Sequence, residues 1–413
     1  MSQALGGIRI IDLTMGWAGP LATRHLADMG ADVIKVESCE RFDWWRSWEA
    51  TPEWIEDDGA EKSNQFNMVN RNKRGITLDL EQPEGRRLLL ELVATANAVV
   101  ENYSGGVLPK LGLSYDVFRA ARENIVLLSM PAFGSTGPWR MFRAYGSTVE
   151  HSSGLPHLHG YADDPPSMLH VAYGDAVGGL NGAAALLTAL RHQRRSGEGQ
   201  YVDLSQVESL FPLAAHGILE FAATGQAPPR RGNFSSTSAP HGVYPCASGE
   251  DEPDEWLVLQ VQSEDQWRAL QSLVPELRDF GRLQDRIKRV DALDRVIAAW
   301  THSRSAHALM AELQTHGIPA AATHAMSTLM NDPHLSARGY WQWLERAVVG
   351  NQPNPSAPYR LGTAPVPICA PAPTLGQHNR EVLGGILGLD DERLSALEAE
   401  GIIGTRPRMP SRR

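Results

Sequence analysis

One aspartate stands out by its surroundings: Asp175, in VAYGDAVGGLNGAAALL, precedes a helix-like run whose first turns carry almost no side chains. An aspartate there serves as a helix N-cap, because its carboxylate accepts the N–H groups that a first turn leaves open. The same N–H groups and the helix dipole keep the carboxylate ionised. Gly174, Gly178 and Gly179 would let a bulky substrate approach it, so the residue also suits a nucleophile. The residues alone leave both readings open. Basic side chains collect in NRNKRG (Arg71, Lys73, Arg74) and PWRMFR (Arg140, Arg143), which read either as solvated turns or as a phosphate clamp.

Other chemistries are poorly supported. Gly16 and Gly19 lie in a turn that Glu37 follows after a strand, as in dinucleotide sites, but GxGxxG is missing and Trp17 fills the turn. There is no P-loop, HExxH, GxSxG or EF-hand pattern. His157 and His159 lack further ligands for a metal. Cys39, Cys246 and Cys369 are far apart, which indicates neither a disulfide framework nor a zinc ribbon. The aromatic stretch FDWWRSWEATPEW, with Trp44, Trp45, Trp48 and Trp54, reads as packing against another surface or as the wall of an apolar or aromatic pocket.

The elements that must position these residues alternate in type. GIRIIDLT, ADVIKVE, RGITLDL, AVVENY and NIVLLSM are strand-like, and LATRHLADMG, a run from Pro83 and YDVFRAARE are helical. That alternation predicts an α/β fold with a parallel sheet covered on both faces. A Gly- and Pro-rich stretch from Met130 to Pro166 precedes a helix expected from near Asp175 to Arg191. APPRRGNFSSTSAPHG, Ala227 to Gly242, is the clearest composition break. The expected organisation is therefore a large Rossmann-like domain over 1–226, a linker and small α+β domain over 227–340, and an extended return segment rejoining the large domain over 341–413. RPRMPSRR reads as a frayed basic tail.

The 413 residues carry a formal charge of −10, which argues against nucleic acid as the main partner but not against one phosphorylated small molecule. No apolar run is long enough for a membrane helix and no signal-peptide pattern opens the chain, so a cytoplasmic protein is expected.

The chain resembles the type III CoA-transferases, the family of formyl-CoA:oxalate and carnitine CoA-transferases, together with the related α-methylacyl-CoA racemases. The resemblance rests on IDLTMGWAGPLATRHLADMGADVIKVE, NRNKRGITLDL, VVENYSGGVLPKLGL, FGSTGPW, YGDAVGG and SGEGQYVDLSQVE, with weaker matches in HGVYPC, GIPAA, DPHLSARGY and LGQHNREVL. It implies a Rossmann-like large domain, a smaller domain and two interlocked ring-like chains. The partner would be a second copy or a paralogue in a heteromer. The substrates implied are acyl-CoA and a carboxylic acid, with no tightly bound cofactor.

By this resemblance Asp175 is the catalytic carboxylate, attacking the donor thioester. Asn102, Tyr103, Arg143, Tyr145 and Gly174 become CoA- or substrate-binding residues, and Trp17 and the phosphate-clamp residues Arg71, Lys73 and Arg74 are counted with them as binding candidates. Backbone N–H groups near Ala176 are the expected oxyanion donors. The racemase branch places His-Asp where this chain has Tyr145 and Gly146, and neither serves as a base at neutral pH. Formyl-CoA enzymes have Gln where this chain has Trp17, so its acid pocket should differ. Three alternatives remain beside intermolecular transfer: an acyl-CoA racemase or isomerase, an intramolecular transferase, and a non-catalytic subunit. Succinyl-CoA is the expected donor, and branched, aromatic and dicarboxylic acids are the candidate acceptors.

Overall fold

Six short strands rich in β-branched residues make one sheet in the computed structural model, which describes residues 4–168, 171–248 and 254–409. They are β1 (Arg9–Asp12), β2 (Asp32–Glu37), β3 (Arg74–Thr77), β4 (Ala98–Glu101), β5 (Val126–Ser129) and β6 (Tyr201–Asp203). Every neighbouring pair is parallel and the order is β3-β2-β1-β4-β5-β6. The order reverses between β1 and β4, and the crevice beyond the carboxyl ends of strands at such a point is where open α/β sheets bind ligands.

Alternate side chains of each strand feed two cores. Ile10, Val33 and Leu128 pack with Leu26 of helix α1 (Ala18–Asp28) and with residues further along the chain. Ile11, Ile34 and Val36 pack with Leu88 and Leu92 of α2 (Pro83–Ala94), Phe118 of α3 (Tyr115–Ala121) and the late residues Leu394 and Leu397. The stripe at Leu88, Leu89, Leu92 and Val93 is wholly buried, as its helical spacing predicts.

Two helices follow β5 in the large unit, and the second of them completes the first core. The stretch from Met130 contains a helix absent from the sequence reading, α4 (Gly146–Ser152). The next helix, α5 (Tyr173–Ser196), begins before Asp175 and runs beyond Arg191, placing Leu186 and Leu190 against β5 and α1. It passes α1 closely: a Cβ on Gly179 would stand 2.8 Å from the Ala18 carbonyl oxygen. α6 (Ala215–Thr224) follows, and only Gly217 of it is buried.

The described residues divide into two compact units. One comprises the chain up to Pro156, Met168–Ala223 and the part from Ala337 on; the other comprises His157–Ser167 and Thr224–Ser336. The second unit has its own antiparallel sheet of β7 (His241–Pro245), β8 (Trp256–Gln260) and β9 (Ala320–Ala322). Helices α7 (Glu264–Leu273), α8 (Val290–Thr301) and α9 (Ala306–Thr315) pack on it through Trp267, Leu270, Leu293, Ile297, Leu309 and Leu313. The composition break expected to run through Gly242 therefore ends inside a strand.

Back in the first unit, β10 (Trp341–Arg346) pairs antiparallel with β11 (Gly350–Pro355), so the Pro-rich return segment begins as a hairpin. Pro353 and Pro355 are tolerated there because the strand has one partner only. The basic tail is fastened where the structure describes it: the Arg408 N–H donates to Cys39 O at 2.7 Å and Arg406 pairs with Asp58 at 3.2 Å. Its last residues, 410–413, lie outside the described residues.

Candidate active site

The site is built on the turn that leaves β1, and three buried groups fix that turn. Asp12 accepts the Thr14 N–H at 3.0 Å, the Thr23 hydroxyl at 2.7 Å and the Lys73 ammonium at 2.9 Å. Lys35 donates to Thr14 O at 2.7 Å and pairs with Asp43 at 2.9 Å. Asp43 in turn accepts the Gly16 N–H at 2.8 Å. Asn102, just past β4, clasps Met15 from the other side, accepting its N–H and donating to its carbonyl, both at 2.8 Å. Gly16 has φ +74, which favours glycine, and a Cβ there would lie 2.1 Å from the Trp44 ring. The indole is thus seated directly on the turn.

That turn delivers the first N–H of α1 to Asp175. The carboxyl of Asp175 stands in the first turn of α5 but does not cap that helix; Ala172 occupies the N-cap position. The backbone N–H groups of Ala18, at the start of α1, and Gly146, at the start of α4, instead favour the charged form of Asp175. Burial pushes its pKa up to about 6, while the two N–H donors draw it back only in part. The Ala176 N–H, the donor expected from the sequence, is turned to the Ala172 carbonyl at 3.5 Å. Glu150, buried in α4, accepts the Tyr173 N–H at 3.0 Å and so ties α4 to the start of α5.

Asp175 opens onto a cavity of about 280 Å³ whose wall includes Met15, Trp44, Asn102, Tyr103, Arg143, Tyr145, Gly146 and Gln206. Trp44 and Tyr145 meet edge to face at 5.7 Å between ring centres, and Trp48 stacks on Trp44 at 4.4 Å. Tyr103 and Ser104 are shared with a second cavity of about 360 Å³ that also has Arg140 on its wall and Glu101 at its floor. Burial pushes the Glu101 carboxyl up to about 7, against the Ser129 hydroxyl and Tyr103 N–H that bind it. Among the described residues no cluster of three or more His, Cys, Asp or Glu could hold a metal ion.

The model of CoA-transferase family III matches residues 5–379. The chain belongs to that family. It is a CoA-transferase, an enzyme that moves CoA from an acyl-CoA donor to a carboxylic acid. It is 32% identical over 406 residues to the succinyl-CoA–D-citramalate CoA-transferase of Chloroflexus aurantiacus, covering 97% of this chain and 98% of that one. It is 32% identical over 386 residues to the succinate–glutarate CoA-transferase of Agrobacterium fabrum, covering 92% and 94%. The crystal structure of a CAIB/BAIF family protein from Brucella suis superposes with a TM-score of 0.82 at 29% identity, covering 94% of this chain and all of that one. The mixed α/β architecture, a Rossmann-like large unit and a smaller one, is that of this structural family.

The transferase gathers some of the residues singled out in its sequence and separates others. Asp175, Asn102, Tyr103, Arg143 and Tyr145 line one cavity. Gly174 lies just behind it, where a Cβ would meet Gly146 O and Val149 at 2.9 Å, and Trp17 packs on Trp45 at 5.6 Å rather than on the cavity wall. Arg71 and Lys73 are fully buried, partnered by Asp28 at 2.8 Å and Asp12 at 2.9 Å, and Arg74 pairs with Asp32 at 2.6 Å and Glu381 at 3.0 Å. None of these three lines the cavity. Gln206 was overlooked, although it stands in the recognised stretch SGEGQYVDLSQVE; it donates to Met130 O at 2.7 Å beside the cavity. The donors Ala18 and Gly146 carry no side-chain signal that a sequence could show.

Proposed function

We propose that the transferase works through covalent intermediates on Asp175. The carboxylate attacks the thioester carbonyl of the donor, the C–S bond breaks, and CoA leaves as thiolate from a mixed anhydride. The thiolate then attacks the aspartyl carbonyl, expelling the donor acid as its carboxylate and leaving an aspartyl-CoA thioester. The acceptor carboxylate attacks the same carbonyl and releases the thiolate. Thiolate attack on the acceptor's carbonyl finally yields the new acyl-CoA and restores Asp175. No step needs a net proton or an electron acceptor.

The observation that carries this reading is a buried carboxyl on the wall of a cavity at the switch point, with two backbone N–H groups and no cation among the influences on its ionisation. A carboxylate spent in an ion pair would be a poor nucleophile; this one has its charge available. In this reading the first cavity takes the pantetheine arm and the adjoining one the nucleotide; exposed Arg143 and Arg140, on the walls of the two cavities, support a contact with its phosphates. Succinyl-CoA as donor and a dicarboxylic acceptor are supported by the names of the Chloroflexus and Agrobacterium relatives. Tyr145 and Gly146, where the racemase branch has its two bases, favour transfer over α-proton exchange. A second copy of the chain, interlocked with the first, is supported by exposed Leu213, Ile218, Leu219 and Phe221 on and before α6.

The test is transfer from succinyl-CoA to a panel of branched, aromatic and dicarboxylic acids, with Asp175→Ala as comparison. Product acyl-CoA from wild type alone is expected. Transfer by Asp175→Ala at the wild-type rate would refute the nucleophile, and solvent deuterium entering the α-carbon without acid exchange would favour the racemase.

A further inference from the structure

Gly146 touches the reacting carboxyl in two ways at once. Its N–H is one of the two that favour the charged form of Asp175. Its missing side chain matters equally, because a Cβ there would stand 1.9 Å from Asp175 Oδ2 and 2.7 Å from Asp175 Cγ. A third contact, 2.7 Å to the Ala172 Cβ, closes the remaining side. Gly146 has no positive φ, so backbone conformation does not require glycine here. Space does: this is where the start of α4 lies against the carboxyl at the start of α5, and a Cβ on Gly174 would stand 2.9 Å from Gly146 O.

We propose that Gly146 is a positioning residue of the transfer reaction. Its bare Cα admits the Asp175 carboxyl to a seat formed by its own N–H and that of Ala18, and the seated oxygen carries the charge whenever the aspartyl carbonyl is attacked. This rests on Asp175 as the nucleophile. In the thiolate and acceptor steps the incoming lone pair forms the C–S or C–O bond and the carbonyl π pair moves onto the seated oxygen. That pair then returns to expel the carboxylate or the thiolate. Both N–H groups favour negative charge on this carboxyl, and donors held ready beside a developing oxyanion are what stabilises it. The other carboxyl oxygen forms and breaks the bonds.

The test compares wild type, Gly146→Ala, and Gly385→Ala, whose new methyl would meet nothing within 4 Å. Gly146→Ala is expected to lower kcat by about 100-fold or more, in line with loss of one oxyanion donor, while KM for acyl-CoA changes little. The acid limb of its kcat/KM profile is expected to move to higher pH, because the displaced carboxylate loses a donor that favours its ionised form. Gly385→Ala should match wild type. If Gly146→Ala does not fold, Gly146→Ala combined with Asp175→Ala and Ala172→Gly, which removes both close contacts, decides: recovered folding supports a clash at this seat, and continued failure overturns it. A wild-type adduct on Asp175 together with wild-type rate and pH profile in Gly146→Ala would overturn the seat and leave the nucleophile standing. No adduct in wild type would remove the nucleophile itself.

Discussion

Asp12 and Asp175 are both withdrawn from water, yet their surroundings treat charge in opposite ways. Burial alone would raise the pKa of Asp12, but Lys73, Lys35 and the Thr14 hydroxyl outweigh it and hold the carboxyl below its ordinary range. Asp175 has two backbone N–H groups and no such cation, and burial takes it up to about 6. The region around Asp12 is a continuous set of satisfied ion pairs; Glu37 and Glu61 share Arg46, and Glu61 pairs again with Arg346. That region builds and holds the turn leading to α1. The region around Asp175 leaves a charge insufficiently compensated, which is what a nucleophile requires and a structural carboxylate avoids.

The contrast breaks first on activity. Asp175→Asn should reduce transfer by at least about 10⁴-fold, as loss of a catalytic nucleophile does, with the circular dichroism spectrum unchanged; a small loss would erase the distinction. Asp12→Asn should act on stability, because it leaves two buried lysines short of a counter-charge, costing about 3–5 kcal/mol. Urea titration checks this, and residual activity should follow the folded fraction.

The two aspartates should also differ in the sign of their pH linkage. Asp12 has a depressed folded pKa, so its contribution is present above the unfolded value and is lost as pH falls through the folded one. Asp175 has a folded pKa raised to about 6 from the ordinary 3.8. Its ionisation therefore opposes folding at neutral pH, and the penalty disappears as pH falls through that range. Asp175→Asn should accordingly stabilise the protein by on the order of 2 kcal/mol at pH 7 and by nothing below about pH 3. Denaturation midpoints across pH measure it, and a destabilised Asp175→Asn at pH 7 would contradict the comparison.

The smallest effect separates the basic residues. Arg143→Met should raise KM for acyl-CoA about tenfold with kcat kept, the loss expected of one charge-assisted phosphate contact. Arg71→Met should lower stability instead, since its guanidinium is buried on Asp28. Steady-state kinetics beside thermal melting distinguishes the two.

What the sequence revealed and concealed follows the range of the interactions involved. The strands and the helix from Pro83 are local patterns of apolar spacing, and they appear where the pattern places them. α4 was hidden because GSTVEHS has little helical propensity and lies among glycines and prolines; Glu150 and the packing against Gly174 hold it in place. Arg71 and Lys73 looked like anion binders because their carboxylate partners, Asp28 and Asp12, lie 43 and 61 residues away. The candidacy of Asp175, which the structure places on a cavity wall, came from the resemblance and its glycine-rich setting. Its donors were not, since a backbone N–H is the same in every residue that has one.

The most direct measurement is intact-protein mass spectrometry of the transferase after incubation with succinyl-CoA and with other acyl-CoA thioesters, followed by hydroxylamine trapping and peptide mapping. The account predicts donor-dependent modification on the peptide bearing Asp175, absent in Asp175→Asn. Robust transfer with no modification at Asp175, or an equal adduct in Asp175→Asn, would contradict it.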